Sequence, residues 1–131
     1  MSVILERVGF APDYVNYVES LDMQSRLHAE IAARARQNTI LLLEHEPVIT
    51  AGKRTEDHEY PTDRSTPVVK IDRGGKLTWH GPGQLTGYPI LKLPEPLDVV
   101  AYVRLLEEII MNVLAQLGIK GERVEGRSGV W

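Results

Sequence analysis

The residues of this sequence that could take part in chemistry are concentrated in one glycine-rich stretch, residues 73–84. It reads RGGKLTWHGPGQ and holds four of the eleven glycines, with an arginine, a tryptophan and a histidine between them. Glycine lets a backbone approach another group closely because it has no Cβ atom. A histidine can exchange a proton near neutral pH. We therefore predict that these residues form a ligand-binding loop.

The residue types suggest how such a loop could bind a ligand. Residues 74–75 can turn backbone N–H groups toward a carbonyl or an anion, and Arg73 adds a fixed charge. Trp79 and Tyr88 offer flat apolar walls for an alkyl chain or a ring. A tight double turn with a packed tryptophan and a capping histidine explains the composition about equally well. The rigid Gly-Pro-Gly turn after the histidine favours a ligand site, because it leaves space beside the imidazole.

Other kinds of site have weaker support. Residues 74–78, GGKLT, lack the spacing of a phosphate-binding loop, and no helix is predicted after them. Three histidines are not at ligand spacing with one another, so no metal site is expected: His45, His58 and His80. Two acidic pairs are interpreted as solvated charge: Glu44 with Glu46, and Glu107 with Glu108.

Composition narrows the class of protein. The 131 residues suffice for one globular domain, and apolar and charged contents of 43% and 25% are ordinary for a soluble protein. A net charge of -3 gives no electrostatic reason to expect nucleic acid. The absence of cysteine excludes a cysteine nucleophile carried by these residues. No apolar run reaches the length of a membrane span and no signal-peptide pattern opens the chain, so no membrane association and a cytoplasmic location are expected.

Apolar periodicity predicts the elements that position the loop. Helices are predicted at residues 14–35 and 98–117. Strands are predicted at residues 3–8, 39–44, 48–50, 67–72, 77–79, 84–93 and 122–125, and another begins at residue 130. A long polar surface loop is predicted at residues 53–66. Short sequential strands between two helices indicate an α+β or mixed α/β fold that is not doubly wound.

Several local details follow from residue types. Asp13 and Asp98 are expected to cap the two helices, and Gly118 is expected to end the second. Residues 77–79 are expected to pair back on residues 67–72 as a hairpin. Pro89 places its strand at a sheet edge or a bulge.

Residues 73–89 closely resemble the signature of the lipoyl (octanoyl) transferases. That signature runs R-G-G, two residues, T, an aromatic residue, H, G-P-G-Q and then Y-P, and each part is present here. The resemblance continues at residues 41–52, 96–98 and 126–131, and it is greatest to actinobacterial members. The similarity therefore extends over nearly the whole chain.

The resemblance implies a fold similar to the catalytic domain of biotin protein ligases and lipoate-protein ligases, a mixed sheet flanked by helices. It implies transfer of an octanoyl (or lipoyl) group from acyl carrier protein to a lysine of a lipoyl domain, the first step of protein lipoylation, without a cofactor. The implied acceptors are the lipoyl domains of 2-oxoacid dehydrogenase complexes and the glycine cleavage H protein. The family uses a thioester on a cysteine, with a lysine that lowers the pKa of the thiol.

The family's substrate-binding residues correspond here to one run: Arg73, Gly74, Gly75, Lys76, Leu77, Thr78, Trp79 and His80. By the same resemblance His80 lies close to the reacting thioester and is the candidate assisting residue. No catalytic residue of the family is expected among these 131 residues, because its lysine and the cysteine of its P-C-G motif come later in the chain.

We therefore interpret residues 1–131 as a single incomplete catalytic domain, truncated at its C-terminus, that is inactive alone. Such a fragment is expected to be unstable or to self-associate. Two alternatives stay open. The chain could be a non-catalytic acyl-binding module, or it could belong to an ATP-dependent lipoate-protein ligase of the related fold.

Overall fold

The computed structural model describes residues 2–131. It divides into two compact units, of which the first ends at Lys92 and the second runs from Leu93 to Trp131. Helices and mixed sheets confirm the predicted α+β class. The interpretation of the chain as a single domain stays a prediction.

The regular elements follow the predicted order up to the second helix. They are β1 Ile4–Gly9, α1 Tyr17–Ala32, β2 Thr39–Leu43, β3 Val48–Ala51, β4 Val68–Lys70, β5 Leu77–His80, β6 Thr86–Ile90 and α2 Val99–Gln116. The polar stretch between β3 and β4 is a loop except for a short 3-10 helix, Asp57–Glu59. Neither of the two α-helices within residues 2–131 has the length and apolar character needed to cross a membrane.

The first sheet has the strand order β1-β2-β6 and forms the core of the first unit. Its central strand β2 runs parallel to β1 and antiparallel to β6. Alternate residues of β2 are completely buried: Thr39, Leu41 and Leu43. The buried side of α1 contributes four residues to the same unit: Tyr17, Ser20, Leu27 and Ile31. Pro89 lies on the edge strand β6, as predicted.

The second sheet has the strand order β4-β3-β5. Strand β3 pairs in parallel with β4 and antiparallel with β5. The predicted hairpin between residues 67–72 and 77–79 is therefore wrong, because β3 lies between the two strands. Val48, Thr50 and Ala51 of β3 are buried, and pairing on both sides satisfies the backbone N–H and C=O groups of this short buried strand.

The first helix begins and ends inside the predicted range. Asn16, not Asp13, is the N-cap, and its side chain accepts hydrogen bonds from the N–H groups of Val18 and Glu19. The last helical residue is Ala32, and Arg34 then adopts a left-handed φ of 59°. The polar residue nearest the first helical turn supplies the cap, so the prediction of Asp13 is wrong by three positions.

The second helix matches its prediction at both ends. The Asp98 side chain accepts a hydrogen bond from the N–H of Ala101, and Gly118 follows the helix with a φ of 75°. The strands predicted at residues 122–125 and from residue 130 are wrong. Glu122 and Trp131 instead exchange two backbone hydrogen bonds of 2.9 Å within an irregular segment.

A buried carboxylate organises this irregular segment. The Glu107 residue is 2% exposed, and its oxygens accept hydrogen bonds from the Gly129 N–H at 2.8 Å, Arg104 at 2.7 Å and Arg123 at 3.0 Å. These contacts, led by the Gly129 N–H, lower the pKa of Glu107 to about 2. The interpretation of Glu107 as solvated charge is therefore wrong, whereas its neighbour Glu108 is exposed.

We predict that Glu107→Gln loosens the segment that follows α2. The amide cannot accept the same set of hydrogen bonds, so exchange of the Glu122, Gly129 and Trp131 amide protons should accelerate about tenfold. Hydrogen exchange measured by NMR checks this, with Glu125→Gln as the control, because Glu125 lies exposed in the same segment and makes no ion pair within residues 2–131.

The same carboxylate gives a pH dependence. Its folded pKa of about 2 lies below the ordinary 4.5, so its stabilising effect is complete above about pH 4.5 and is lost as the pH falls toward 2. The Glu107→Gln variant should lack this acid-dependent component. Equal acid sensitivity in the variant and the wild type would contradict the assignment.

Candidate functional site

The glycine-rich loop is held against the end of β3 and the residues that follow it. The carbonyl of Arg73 accepts from the Lys53 N–H at 2.9 Å, and that of Gly75 accepts from the Arg54 N–H at 3.1 Å. The carbonyl of Lys76 accepts from the Gly52 N–H at 3.0 Å. The carbonyl of Gly74 accepts from the Arg73 guanidinium at 2.8 Å. All four carbonyls of residues 73–76 are therefore engaged within the protein.

The N–H groups of this loop are not engaged in the same way. The backbone N–H groups of Gly74, Gly75 and Lys76 donate to no acceptor among residues 2–131. Gly74 and Lys76 are exposed and Gly75 is half-buried. Because its carbonyls are engaged and three of its N–H groups are not, this backbone can donate hydrogen bonds to an oxygen acceptor such as a carbonyl or an anion.

The Arg73 side chain fixes the shape of this loop. One guanidinium nitrogen bonds the Gly74 carbonyl, and the other bonds the Thr50 carbonyl at 3.2 Å and the Thr50 hydroxyl at 2.7 Å. Thr50 is completely buried, and its hydroxyl also donates to the Thr78 carbonyl at 3.3 Å. Arg73 thus links the loop, β3 and β5, and its hydrogen bonds are directed at protein groups.

Two glycines make the close approach of the loop possible. A Cβ atom on Gly52 would lie 2.5 Å from the Gly75 carbonyl oxygen and 2.7 Å from the Gly74 oxygen. Gly75 has a φ of 81°, a left-handed conformation that residues with a side chain rarely adopt. The loop can therefore lie on the backbone of residue 52 only because both positions lack a side chain.

The other predicted binding residues follow the loop along β5. Directly opposed residues of an antiparallel pair share a face, so Thr78 and His80 face the side of Thr50, whereas Trp79 faces the opposite side. The Lys76 ammonium is paired with Glu59 at 2.6 Å. The structure therefore places Arg73 and residues 74–76 next to strand β5. The side chains of β5 lie on two opposite faces of the sheet. Which of the eight residues contact a ligand stays a prediction.

Two aromatic residues were predicted as apolar walls, and their environments differ. Trp79 is 46% exposed and its indole lies across Gly81, where an added Cβ would collide with the ring. The Tyr88 hydroxyl is 2.7 Å from Nε2 of the buried His45, and burial raises the pKa of Tyr88 to about 12. Trp79 therefore still offers an accessible flat surface, whereas Tyr88 belongs to a buried polar cluster.

Four rings pack together beside the loop: Tyr17, His45, His80 and Tyr88. The rings of Tyr17 and His80 are stacked, with an interplanar angle of 6° and 6.2 Å between centroids. His45 lies 5.1 Å from the Tyr17 ring and 5.8 Å from each of the other two. This aromatic cluster places His80 against a rigid support.

His45 is the buried centre of the aromatic cluster, and its tautomer follows from its partners. Nδ1 lies 3.0 Å from the Val15 carbonyl, which can only accept, so Nδ1 carries the proton. Nε2 then accepts from the Tyr88 hydroxyl. Burial, opposed by the bond to Val15 and aided by repulsion from His80, lowers the pKa of His45. His45 is therefore a neutral structural histidine that supports His80.

Glu44 connects the turn after His80 to the start of the chain. Its carboxylate accepts from the Gly83 N–H at 2.8 Å and from the Ala11 N–H at 3.1 Å. These two bonds, the one from Ala11 being the stronger effect, lower the pKa of Glu44. The interpretation of Glu44 as solvated charge is therefore wrong.

Sequence reasoning gave no role to several residues that build this site: Tyr17, Glu44, His45, Thr50 and Gly52. Four of the five lie in residues 41–52, a segment that carries a second part of the family resemblance. That resemblance was the sequence signal that could have pointed to these residues.

Within the described part of the chain no group of three or more histidine, aspartate or glutamate side chains could hold a metal ion.

Comparison with known proteins adds independent information. A family model described as the lipoyl protein ligase A/B catalytic domain matches residues 16–131. An octanoyltransferase of Leifsonia xyli is 62% identical over 126 residues, covering 96% of this chain and 56% of the relative. An octanoyltransferase of Streptomyces coelicolor is 59% identical over 125 residues, covering 95% of this chain and 47% of the relative. The chain thus spans about half the length of the curated relatives it matches.

Solved structures agree with the fold. A bi-partite lipoate protein ligase from Thermoplasma acidophilum superimposes with a TM-score of 0.65 at 17% identity, covering 95% of this chain and 49% of that one. A lipoate-protein ligase A bound with ATP gives a TM-score of 0.60 at 17% identity, covering 94% and 49%. At this identity the likeness shows the fold alone, and it confirms the predicted similarity to lipoate-protein ligase catalytic domains.

We predict that Gly52→Ala displaces the glycine-rich loop. The new Cβ would meet two backbone oxygens at less than 3 Å, so the variant should lose about 1–3 kcal/mol of stability. The amide signals of residues 73–76 should shift in its NMR spectrum. Gly87→Ala is the matched control, because the nearest atom to its Cβ would be a Leu42 methyl at 3.6 Å. Unchanged loop signals in Gly52→Ala would contradict the described contact.

Proposed function

We propose that this chain, which belongs to the lipoyl protein ligase A/B catalytic domain family, supplies the acyl-binding loop of an octanoyltransferase. The reaction moves an octanoyl group onto a lysine of a lipoyl-domain protein. The names of relatives at 52–62% identity support the reaction, and the glycine-rich loop supports the role of these residues.

The observation that carries the proposal is the unequal use of backbone groups in residues 73–76. Their four carbonyls are occupied by protein donors, while three consecutive N–H groups have no protein acceptor in the described chain. In the proposed reaction these N–H groups bind the carbonyl oxygen of the acyl group. Fixed N–H donors stabilise the negative charge that develops on this oxygen when a nucleophile attacks, and they need no reorganisation to do so.

Arg73 has a positioning role in this proposal. Its guanidinium is committed to Thr50 and Gly74, so it shapes the loop instead of contacting the acyl group. The planar, forked geometry of arginine makes these contacts simultaneously, which a lysine ammonium on its flexible stem does not reproduce. Trp79 offers its exposed face to the alkyl chain.

The donor and the nucleophile are further parts of the proposal. We propose octanoyl-acyl carrier protein as the donor and a cysteine thiolate as the group that carries the acyl intermediate. These 131 residues contain no cysteine, so that thiol belongs to a part of the protein outside them. His80, stacked on Tyr17, is the proton-exchanging residue nearest to the loop along β5.

A transfer assay tests the proposal. The full-length protein should transfer the octanoyl group from octanoyl-acyl carrier protein to a lipoyl domain without ATP, as detected by the mass of the acceptor. Arg73→Lys should lower kcat/KM about 100-fold, since small misplacements of binding groups have effects of this size. Arg64→Lys, in the exposed loop before β4, is the control.

The outcomes separate the proposal from its alternatives. Transfer that requires octanoate and ATP would assign the protein to the ligases. Binding of the acyl group with no transfer by the full-length protein would favour a binding module. An Arg73→Lys variant as active as Arg64→Lys would contradict the role given to the loop.

A further inference from the structure

We propose that Gln84 is a positioning residue that fixes neutral His80 in the Nδ1–H tautomer, so that Nε2 of His80 is a hydrogen-bond acceptor. The assignment of the tautomer depends only on the contacts of His80 and Gln84. Its meaning for catalysis rests on the proposed transferase function.

The orientation of the Gln84 amide determines the tautomer. Its NH₂ group donates to the Trp79 carbonyl at 3.3 Å, and its oxygen lies 2.5 Å from Nδ1 of His80. The opposite orientation would place two carbonyl oxygens against each other. Because an amide oxygen can only accept, Nδ1 must carry the proton.

The backbone around Gln84 holds this side chain in place. The Gln84 N–H donates to the Gly81 carbonyl at 3.1 Å, which closes the turn. Gly83 has a φ of 85°, and its N–H donates to the Glu44 carboxylate at 2.8 Å. Glu44 therefore fixes the turn, the turn places Gln84, and Gln84 orients the imidazole.

The other ring nitrogen of His80 is left available. Nε2 has no hydrogen-bond partner among residues 2–131, and stacking on Tyr17 fixes the plane of the ring. A neutral imidazole protonated at Nδ1 has a lone pair at Nε2. It can accept a hydrogen bond there, but it cannot donate one to the carbonyl oxygen of a substrate.

The site therefore divides two tasks between two elements. The loop of residues 74–76 offers donors to the acyl oxygen, and His80 offers an acceptor. In the proposed transfer, the amine of the target lysine is the substrate group that donates an N–H hydrogen bond to Nε2 of His80. Gln84 then keeps the acceptor in the correct form and also shares the charge of the imidazolium through its oxygen.

NMR of the imidazole nitrogens tests the tautomer directly. In the full-length protein labelled with ¹⁵N-histidine and held at alkaline pH, Nδ1 of His80 should give the signal of a protonated nitrogen and Nε2 that of an unprotonated one. The His80→Asn variant assigns the signals. A wild-type spectrum with the proton on Nε2 would overturn the proposal, whatever the enzymatic activity.

Substitutions of Gln84 test its role. In Gln84→Leu the Nε2–H form should appear, whereas Gln84→Glu retains an oxygen acceptor and should keep the proton on Nδ1. Gln116→Leu, at an exposed position at the end of α2, should leave the spectrum unchanged. An unaltered tautomer in Gln84→Leu would show that Gln84 does not fix it. If Gln84→Leu fails to fold, the wild-type and Gln84→Glu spectra still decide.

Kinetics of the transfer reaction separate this proposal from the proposed function. The value of kcat should fall about tenfold or more in Gln84→Leu, with a smaller change in KM, and Gln84→Glu should recover most of it. Equal kcat in Gln84→Leu and wild type would overturn the positioning role. Absence of transfer by the wild type, together with the expected spectrum, would overturn the transferase function but not the tautomer.

Discussion

The attachment of the glycine-rich loop to β3 is the constraint on which the rest of this site depends. Three backbone N–H groups and one guanidinium satisfy all four carbonyls of residues 73–76. Only a loop that lies directly on Gly52 can make these bonds, and a side chain at that position would prevent it. The N–H groups of residues 74–76 have no acceptor within residues 2–131, and the chemistry proposed for the protein follows from this asymmetry.

Polar residues with buried or partly buried side chains hold the other parts of the molecule in the same manner. Glu44 and Glu107 each accept backbone N–H groups from a glycine-containing turn, and His45 links Val15 to Tyr88. Turns have few apolar contacts, so hydrogen bonds to a fixed carboxylate or imidazole restrict them more effectively than packing. Within residues 2–131 these contacts fix backbone segments, whereas the N–H groups of residues 74–76 and Nε2 of His80 have no hydrogen-bond partner.

The sequence predicted several features that depend on local signals. The helix from Val99 to Gln116, its Asp98 cap and the Gly118 stop were readable because each depends on neighbouring residues. The pairing of β5 with β3 was not, because periodicity shows which residues form a strand but not which strand lies beside it. The roles of Glu44 and His45 also depend on contacts about 30 to 40 residues away along the chain. The family resemblance of the segment that contains Glu44 and His45 could be recognised from the sequence, but the hydrogen-bond partners of these two residues could not.

The binding of an acyl carbonyl by the free N–H groups is tested most directly by amide NMR of the full-length protein with octanamide, a simple acyl ligand that is not transferred. The account predicts saturable downfield shifts of the Gly74, Gly75 and Lys76 amide protons, because they acquire an acceptor. The amide protons of Lys53 and Arg54, which already have acceptors, should change little. Saturable binding that leaves the three loop amides unshifted would contradict the central claim.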